Sequence, residues 1–493
     1  MRGRYMPTLV VSACGRAVGM IFTKRTCRPV VVTAIVAVGI SACSVGYAAA
    51  DTLDWALTQA YQNNPQLNSQ RAITRQTDEG VPQALSGYRP KVTVTGTLGS
   101  QYQQTVSKSP GVSGVPSVYL PTEGQFAPHT AGITGTQTLF NGYQTGNKTR
   151  QAESQVSAAR ETLRLIEQNV LLNAATAYMN LLRDEATLDL QRRNVQVLQE
   201  QLRQTRDQFN VGEVTKTDVA QAESRLAGGR SSVLAAESNY VSSKAAYRQA
   251  IGVEPGKLAP GTPVDRLSPR SLGEAVATGR AANPNVTAAM FGVDVAALQV
   301  KVNEGALLPT LSVTASAQNA WETNTTTLLQ QFNASVIGNL SVPLYQGGVE
   351  YANIRQSKET VGQKRLDLDT ARDQAQATVV QSWGQLEAAK AQIQATQSQV
   401  TAAEIALNGV REEARVGQRT TLDVLNAQQE LVNDRVALVS AQRDRVVASY
   451  TLLSSVGGLS AQRLNLKVPV YDPVVHYMQV RDSWAGVRTP DGR

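Results

Sequence analysis

Residues 354–407 read IRQSKETVGQKRLDLDTARDQAQATVVQSWGQLEAAKAQIQATQSQVTAAEIAL. Ile354, Val361, Leu368 and Ala375 stand seven apart, and after a step of four the spacing resumes at Val379, Leu386, Ile393, Val400 and Leu407. Sustained heptads predict coiled-coil packing, and the four-residue step is a stutter that locally unwinds the supercoil. The signature has an upstream copy: Val156, Leu163, Val170 and Ala177, then Leu181, Leu188, Val195, Leu202 and Phe209. Ala, Gln and Ser fill the positions between, so each apolar seam is narrow and needs neighbours on both sides. A helix from about Gly146 to Asn210 runs roughly 100 Å at about 1.5 Å per residue, far beyond the width of a compact domain.

Both long helices stop at a Val-Gly pair, Val211-Gly212 and Val416-Gly417, and return helices begin near Asp218 and Asp423. These pairs belong to a duplication. Leu53, Asn64-Pro65 and Pro90 recur 219 residues later as Leu272, Asn283-Pro284 and Pro309. Leu139, Gly142, Val211-Gly212, Asp218 and Gly252 recur 205 residues later as Leu344, Gly347, Val416-Gly417, Asp423 and Gly457, so the first copy carries 14 extra residues between Pro90 and Leu139. The expected organisation is a leader at 1–50, repeat one at 51–267 ending in a Pro/Gly-rich linker, repeat two at 268–458, and an uncopied tail at 459–493.

Each repeat reads helix, strand, strand, long helix, tight turn, helix. The opening helix breaks at Asn-Pro and ends before Pro90 or Pro309, where proline cannot continue the ladder. Val92, Val94, Gly96 and Leu98 alternate with Lys91, Thr93, Thr95 and Thr97; Phe332, Ala334, Val336, Gly338 and Leu340 alternate in the same way in repeat two. Such strands fit either a half-buried soluble sheet or a membrane barrel. Residues 101–125, rich in Ser, Pro and Gly, include the first hairpin loop and are expected outside the cell. Four strands cannot close a membrane barrel, which takes about eight or more. Open edges in lipid leave backbone groups unpaired, so barrel strands here require several chains.

The leader favours export. Residues 1–50 hold six basic residues and no acidic one, an apolar run from Val30 to Ile40, and Ala48-Ala49-Ala50 at the spacing of a cleavage site. A lipobox ending at Cys43 is the alternative reading, and Met20 is an alternative start. Removing the leader takes the formal charge from +8 to +2, since 8 − 6 = 2, and removes all three cysteines. Nucleic acid is therefore not an expected partner. Cys and His are too scarce for a metal cluster, no P-loop or dinucleotide fingerprint appears, and neither His129 nor His476 sits in a recognised catalytic motif. No cofactor and no catalysis are expected. A soluble periplasmic coiled-coil adaptor would share heptads and export, but would not need the duplicated alternating hairpins.

The chain resembles the TolC family of outer-membrane channel proteins over nearly all of residues 51–458. The resemblance rests on Leu53-x-x-Ala56-Leu57-x-x-Ala60 with Asn64-Pro65, Tyr88-x-Pro90, and the strand-to-helix turns Leu139-Phe140-Asn141-Gly142 and Pro343-Leu344-Tyr345-Gln346-Gly347-Gly348. It rests also on the helix tips Val211-Gly212…Thr217-Asp218-Val219 and Val416-Gly417-Gln418-Arg419…Asp423-Val424-Leu425. The resemblance implies a mainly α fold with a membrane β-barrel: a homotrimer whose twelve-stranded barrel meets outer-membrane lipid and whose helical tunnel crosses the periplasm. It implies passive conduction of exported proteins or small toxic compounds, with a periplasmic adaptor docked at Val211, Gly212, Val416 and Gly417 and an inner-membrane transporter supplying energy. It places Asp423 in a carboxylate ring at the constriction, where mutual repulsion raises carboxyl pKa values. Asn426 replaces the family's second acidic position, which implies a weaker ring. Arg419 matches an arginine that locks to Thr217 and Asp218 at the other tip, while Ala414 stands where the family has a tyrosine.

Overall fold

The computed structural model describes residues 51–109, 114, 116–322, 329–490 and 492. The leader, with its cleavage motif and cysteines, lies outside them. The first half contains helices α1 (Leu53–Asn63), α2 (Pro65–Asp78) and α3 (Gly80–Leu85), strands β1 (Lys91–Leu98), β2 (Gln101–Ser109), β3 (Val118–Phe126) and β4 (His129–Asn141), then helices α4 (Gln144–Asn210) and α5 (Lys216–Ile251). The second half contains α6 (Leu272–Ala282), α7 (Pro284–Gly305), β5 (Thr310–Trp321), β6 (Gln330–Ser341), α8 (Val349–Arg415) and α9 (Thr421–Ser455), followed by α10 (Pro473–Val480) in the tail.

The Asn-Pro breaks serve two purposes. The Asn64 side chain accepts hydrogen bonds from the backbone N–H groups of Gln66 and Leu67, capping α2, while Pro65 occupies the first helical position, where a missing N–H costs nothing. Asn64 Nδ2 also donates to the carbonyl of Ala250 at 3.1 Å, and Asn283 Nδ2 makes the equivalent bond to Ser455 at 3.0 Å. One amide per repeat thus caps a helix and ties it to the end of the return helix.

The two long helices each span 67 residues. The heptad residues Val156, Leu163, Val170, Ala177, Leu181, Leu188 and Leu202 are buried along α4, and Ile354, Ala375, Val379, Leu386, Val400 and Leu407 along α8. Phe209, the last position of the α4 series, is exposed instead, in the final turn of the helix. The halves of α4 and α8 nearer the sheet pack on α2, α6 and α7; their far halves pair with α5 and α9. The largest core, around Leu57, Leu171, Tyr178, Tyr247, Leu386 and Leu453, lies where the helix families meet. Tyr178 there donates to the carbonyls of Asp51 and Ala259, pinning the segment just before α1 to the linker. The tail returns to this region with Leu459 and Ala461, which are buried in it, and His476 of α10 hydrogen-bonds the buried carboxylate of Asp78 at 2.9 Å near a separate cluster of Val81, Ala152 and Val156.

The main sheet is antiparallel in the order β1-β4-β5-β6, so β1 and β6 are its free edges. At its helical end Gly142 has φ +65°, and a Cβ there would collide with the carbonyl oxygen of Gly305, which is why the strand-to-helix turn needs glycine. At the other end the structure departs from the expected loop. Residues 101–109 and 118–126 form a separate two-stranded ribbon, register Gln101↔Phe126 to Ser109↔Val118, that continues the first hairpin. Tyr102, Thr105, Val106, Val118 and Tyr119 favour strand, and the Ser, Pro and Gly residues are densest between 107 and 117, toward the ribbon's end. The apolar faces of the edge strands are bare: Val94 is 78% and Leu98 90% exposed, and β6 is exposed along its whole length. Among the described residues no layer covers them, which is not the arrangement of a soluble half-buried sheet.

Candidate channel entrance at the helix tips

The ends of the coils farthest from the sheet are two copies of one motif. At the first, Gly212 has φ +84°, its N–H donates to Phe209 and the N–H of Glu213 reaches back to Gln208 at 2.9 Å. At the second, Gly417 has φ +78°, with the matching bonds Gly417 to Ala414 and Gln418 to Glu413 at 2.9 Å. This is a helix stop in which a left-handed residue lets trailing N–H groups satisfy orphan carbonyls. Val211 and Val416, each beside its glycine, are 72% and 71% exposed.

The return helices open with matched capping boxes. The hydroxyl of Thr215 accepts from the Asp218 N–H, and an Asp218 carboxylate oxygen accepts the Thr215 N–H at 2.9 Å. Thr420 and Asp423 repeat the arrangement at 3.3 and 3.0 Å. The caps are therefore Thr215 and Thr420. Asp218 and Asp423 sit three residues inside, and Thr217 stands exposed on the first turn. The signal for this was in the sequence as Thr-x-x-Asp ahead of an apolar run. The hydroxyl and backbone N–H of Thr215 hold the Asp218 carboxyl below the usual range, and the Thr420 backbone and hydroxyl do the same for Asp423, with Arg419 assisting. Within one chain the shift is downward; the upward push of like charges that the family resemblance implies would need further copies.

Arg419 Nε donates to Glu413 Oε2 at 2.9 Å, both side chains being about half exposed. Within the chain its partner is thus a residue of its own tip, and Thr217 and Asp218 lie on the other. Ala414, in the position of the family tyrosine, packs against the cluster of Val400, Leu407, Val424 and Leu431 inside the second coil. Asn426 faces a residue that sequence reasoning passed over: Arg225 Nη2 of α5 donates to its Oδ1 at 2.7 Å. A further polar chain lies behind it. Arg411 Nη2 donates to Gln428 Oε1 at 3.1 Å, and the buried Gln428 reaches Asn194 of α4 at 3.5 Å. Alignment of the repeats carried one clue, since Arg225 stands where repeat two has Glu430.

A four-stranded sheet with free edges and a bare apolar face, carried on coils about 100 Å long, defines a barrel-and-tunnel channel protein. The comparisons agree. The outer membrane efflux protein family model matches residues 56–253 and 277–458, and the chain belongs to that family. It is 41% identical over 471 residues to the outer membrane efflux protein BepC of Brucella suis biovar 1, covering 95% of this chain and 99% of BepC. It is 27% identical over 427 residues to the outer membrane protein TolC of Vibrio cholerae, covering 84% of this chain and 92% of TolC. Among solved structures, CusC superposes with a TM-score of 0.70 at 18% identity, covering 83% of this chain and 93% of CusC, which shows the shared fold. The protein is a component of the outer membrane, with its helical part extending into the periplasm.

Proposed function

We propose that three copies of this chain form one passive duct across the outer membrane and periplasm. The carrying observation is that sheet and coils are both left open at their sides. In the sheet the free edges are β1 and β6. In the coil half, α4 and α9 lie centrally, and among the described residues α5 and α8 each lack a neighbour on one side. Leu234 and Val241 on α5 are exposed there, as are Val380 midway along α8 and Ile405 in its far half. Their repeat counterparts Val446 and Ala175, which match Val241 and Val380, are buried. Joining β1 to β6 and α5 to α8 of successive copies satisfies both sets, and three copies supply twelve strands, enough to close a barrel.

In this duct the tips form the periplasmic entrance. Asp423 supplies a carboxylate ring, and Asn426 leaves the level above it without a second one. Arg419 can exchange its exposed partner Glu413 for Thr217 and Asp218 of the facing tip, and the protruding Val211-Gly212 and Val416-Gly417 turns offer apolar contacts to a periplasmic adaptor. An inner-membrane transporter supplies the energy, because the tips carry no nucleotide-binding motif. The cargo is small toxic compounds or exported protein; the efflux name borne by the 41% identical relative favours the former. Purified protein in planar bilayers should give discrete pores and a trimer mass. Recovery in the soluble periplasm without pore formation would overturn the reading. A deletion strain should become drug-sensitive, and loss of protein export alone would shift the cargo to protein.

A further inference from the structure

The seam between the two coil pairs changes character along its length. Near the main core it is apolar, with Val446, Tyr450 and Leu453 of α9 buried beside Leu171 and Tyr178 of α4. Toward the tips the crossing contacts are Leu425, which enters the first coil's cluster of Leu198, Leu202, Ala222 and Leu226, and then hydrogen bonds from Gln428 to Asn194 and from Arg225 to Asn426. Arg225 to Asn426 is the cross-repeat bond nearest the tips that joins the two return helices. Among the described residues no carboxylate lies in ion-pair contact with Arg225, so an exposed neutral amide is the partner of a half-buried guanidinium.

We propose that Arg225 is a positioning residue of the entrance: its hydrogen bond to Asn426 holds the second return helix against the first and sets the resting width of the constriction. The proposal rests on the duct reading. A bond from a guanidinium to an exposed amide is strong enough to bias a two-state element and weak enough to be released by a docking partner. Its partner being neutral, the bond persists through the pH range in which carboxylates titrate. Loss of a hydrogen bond to a charged group shifts such an equilibrium by about tenfold. The site also places a cation one turn from Asp423, so that the entrance carries neighbouring levels of opposite charge.

The test is single-channel recording of the full-length trimer in planar bilayers. Arg225→Ala and Asn426→Ala are each expected to raise the open fraction about tenfold. The double variant should resemble either single one, as befits two ends of one bond. Asn426→Asp should keep the open fraction at or below the wild-type level, because the amide bond becomes an ion pair. A role in folding alone would not be rescued selectively by Asp, and trimer mass checks assembly of every variant. Wild-type open fraction in both alanine variants, additive effects, or an Asn426→Asp channel as open as Asn426→Ala would each overturn the proposal. Absence of pores in the wild-type protein would instead overturn the duct reading.

Discussion

The two tips are near copies in sequence and in local structure, yet they sit in different surroundings. Val195, Leu202, Val219 and Leu226 of the first coil correspond one for one to Val400, Leu407, Val424 and Leu431 of the second, and each set forms its own cluster. Both helix stops and both capping boxes match. The copies differ at the flank. Leu425 on α9 is 2% exposed and packs into the first coil, whereas its counterpart Ala220 on α5 faces outward. Duplication therefore preserved what each hairpin needs to fold, and divergence fell on the residues that decide which neighbour each hairpin takes.

The largest departure from equivalence is expected at that flank. Leu425→Ala should cost about 3 kcal/mol by opening a cavity between the coils, while Ala220→Leu, on the outward stripe of Leu234 and Val241, should change the stability of a dissociated chain by less than about 0.5 kcal/mol. Hydrogen exchange along α4, α5 and α9 would measure both, and equal effects would erase the distinction between the tips.

A second contrast concerns charge. Asp423→Asn should reduce the cation preference of the pore, read as a reversal potential in a salt gradient, and Asp218→Asn should reduce it less. Equal shifts would put both carboxylates at the constriction.

In a dissociated chain, where copies of Asp423 do not face one another, acid should treat the tips alike. Both carboxyls are held below their ordinary value of 3.8, so each cap contributes fully above that value and is lost as pH falls through the lower folded-state value. Proteolysis at residues 211–218 and 416–423 should therefore rise together below about pH 3.8. Cleavage at one tip only would show that its carboxylate has a further partner.

The smallest effect is expected from Arg419→Ser, since its pair with Glu413 is exposed and contributes little. The open fraction should rise less than on loss of Arg225. No change at all would remove Arg419 from the lock.

Much of this was legible because it is local. The heptads, the stutter, the Asn-Pro breaks and the Val-Gly stops each act through neighbours within a few turns. The ribbon beyond β1 was not, because its tip composition reads as loop while the strand pairing that carries it is non-local. Asp218 and Asp423 were placed at the helix starts but not in the box, whose capping oxygen comes from Thr215 and Thr420. Arg225 was missed because its partner is 201 residues away.

The sequence by itself determined two coiled-coil hairpins, two strand pairs, the glycine stops and the need for additional chains, since periodicity dictates which face of each element must be covered. Only the tertiary structure decided that α9 lies inside and α5 at the edge, that Leu425 is buried where Ala220 is bare, and that Asn426 meets Arg225. Those outcomes depend on how two nearly identical rods rotate and settle against each other, and a heptad repeated in both rods carries no information about that choice.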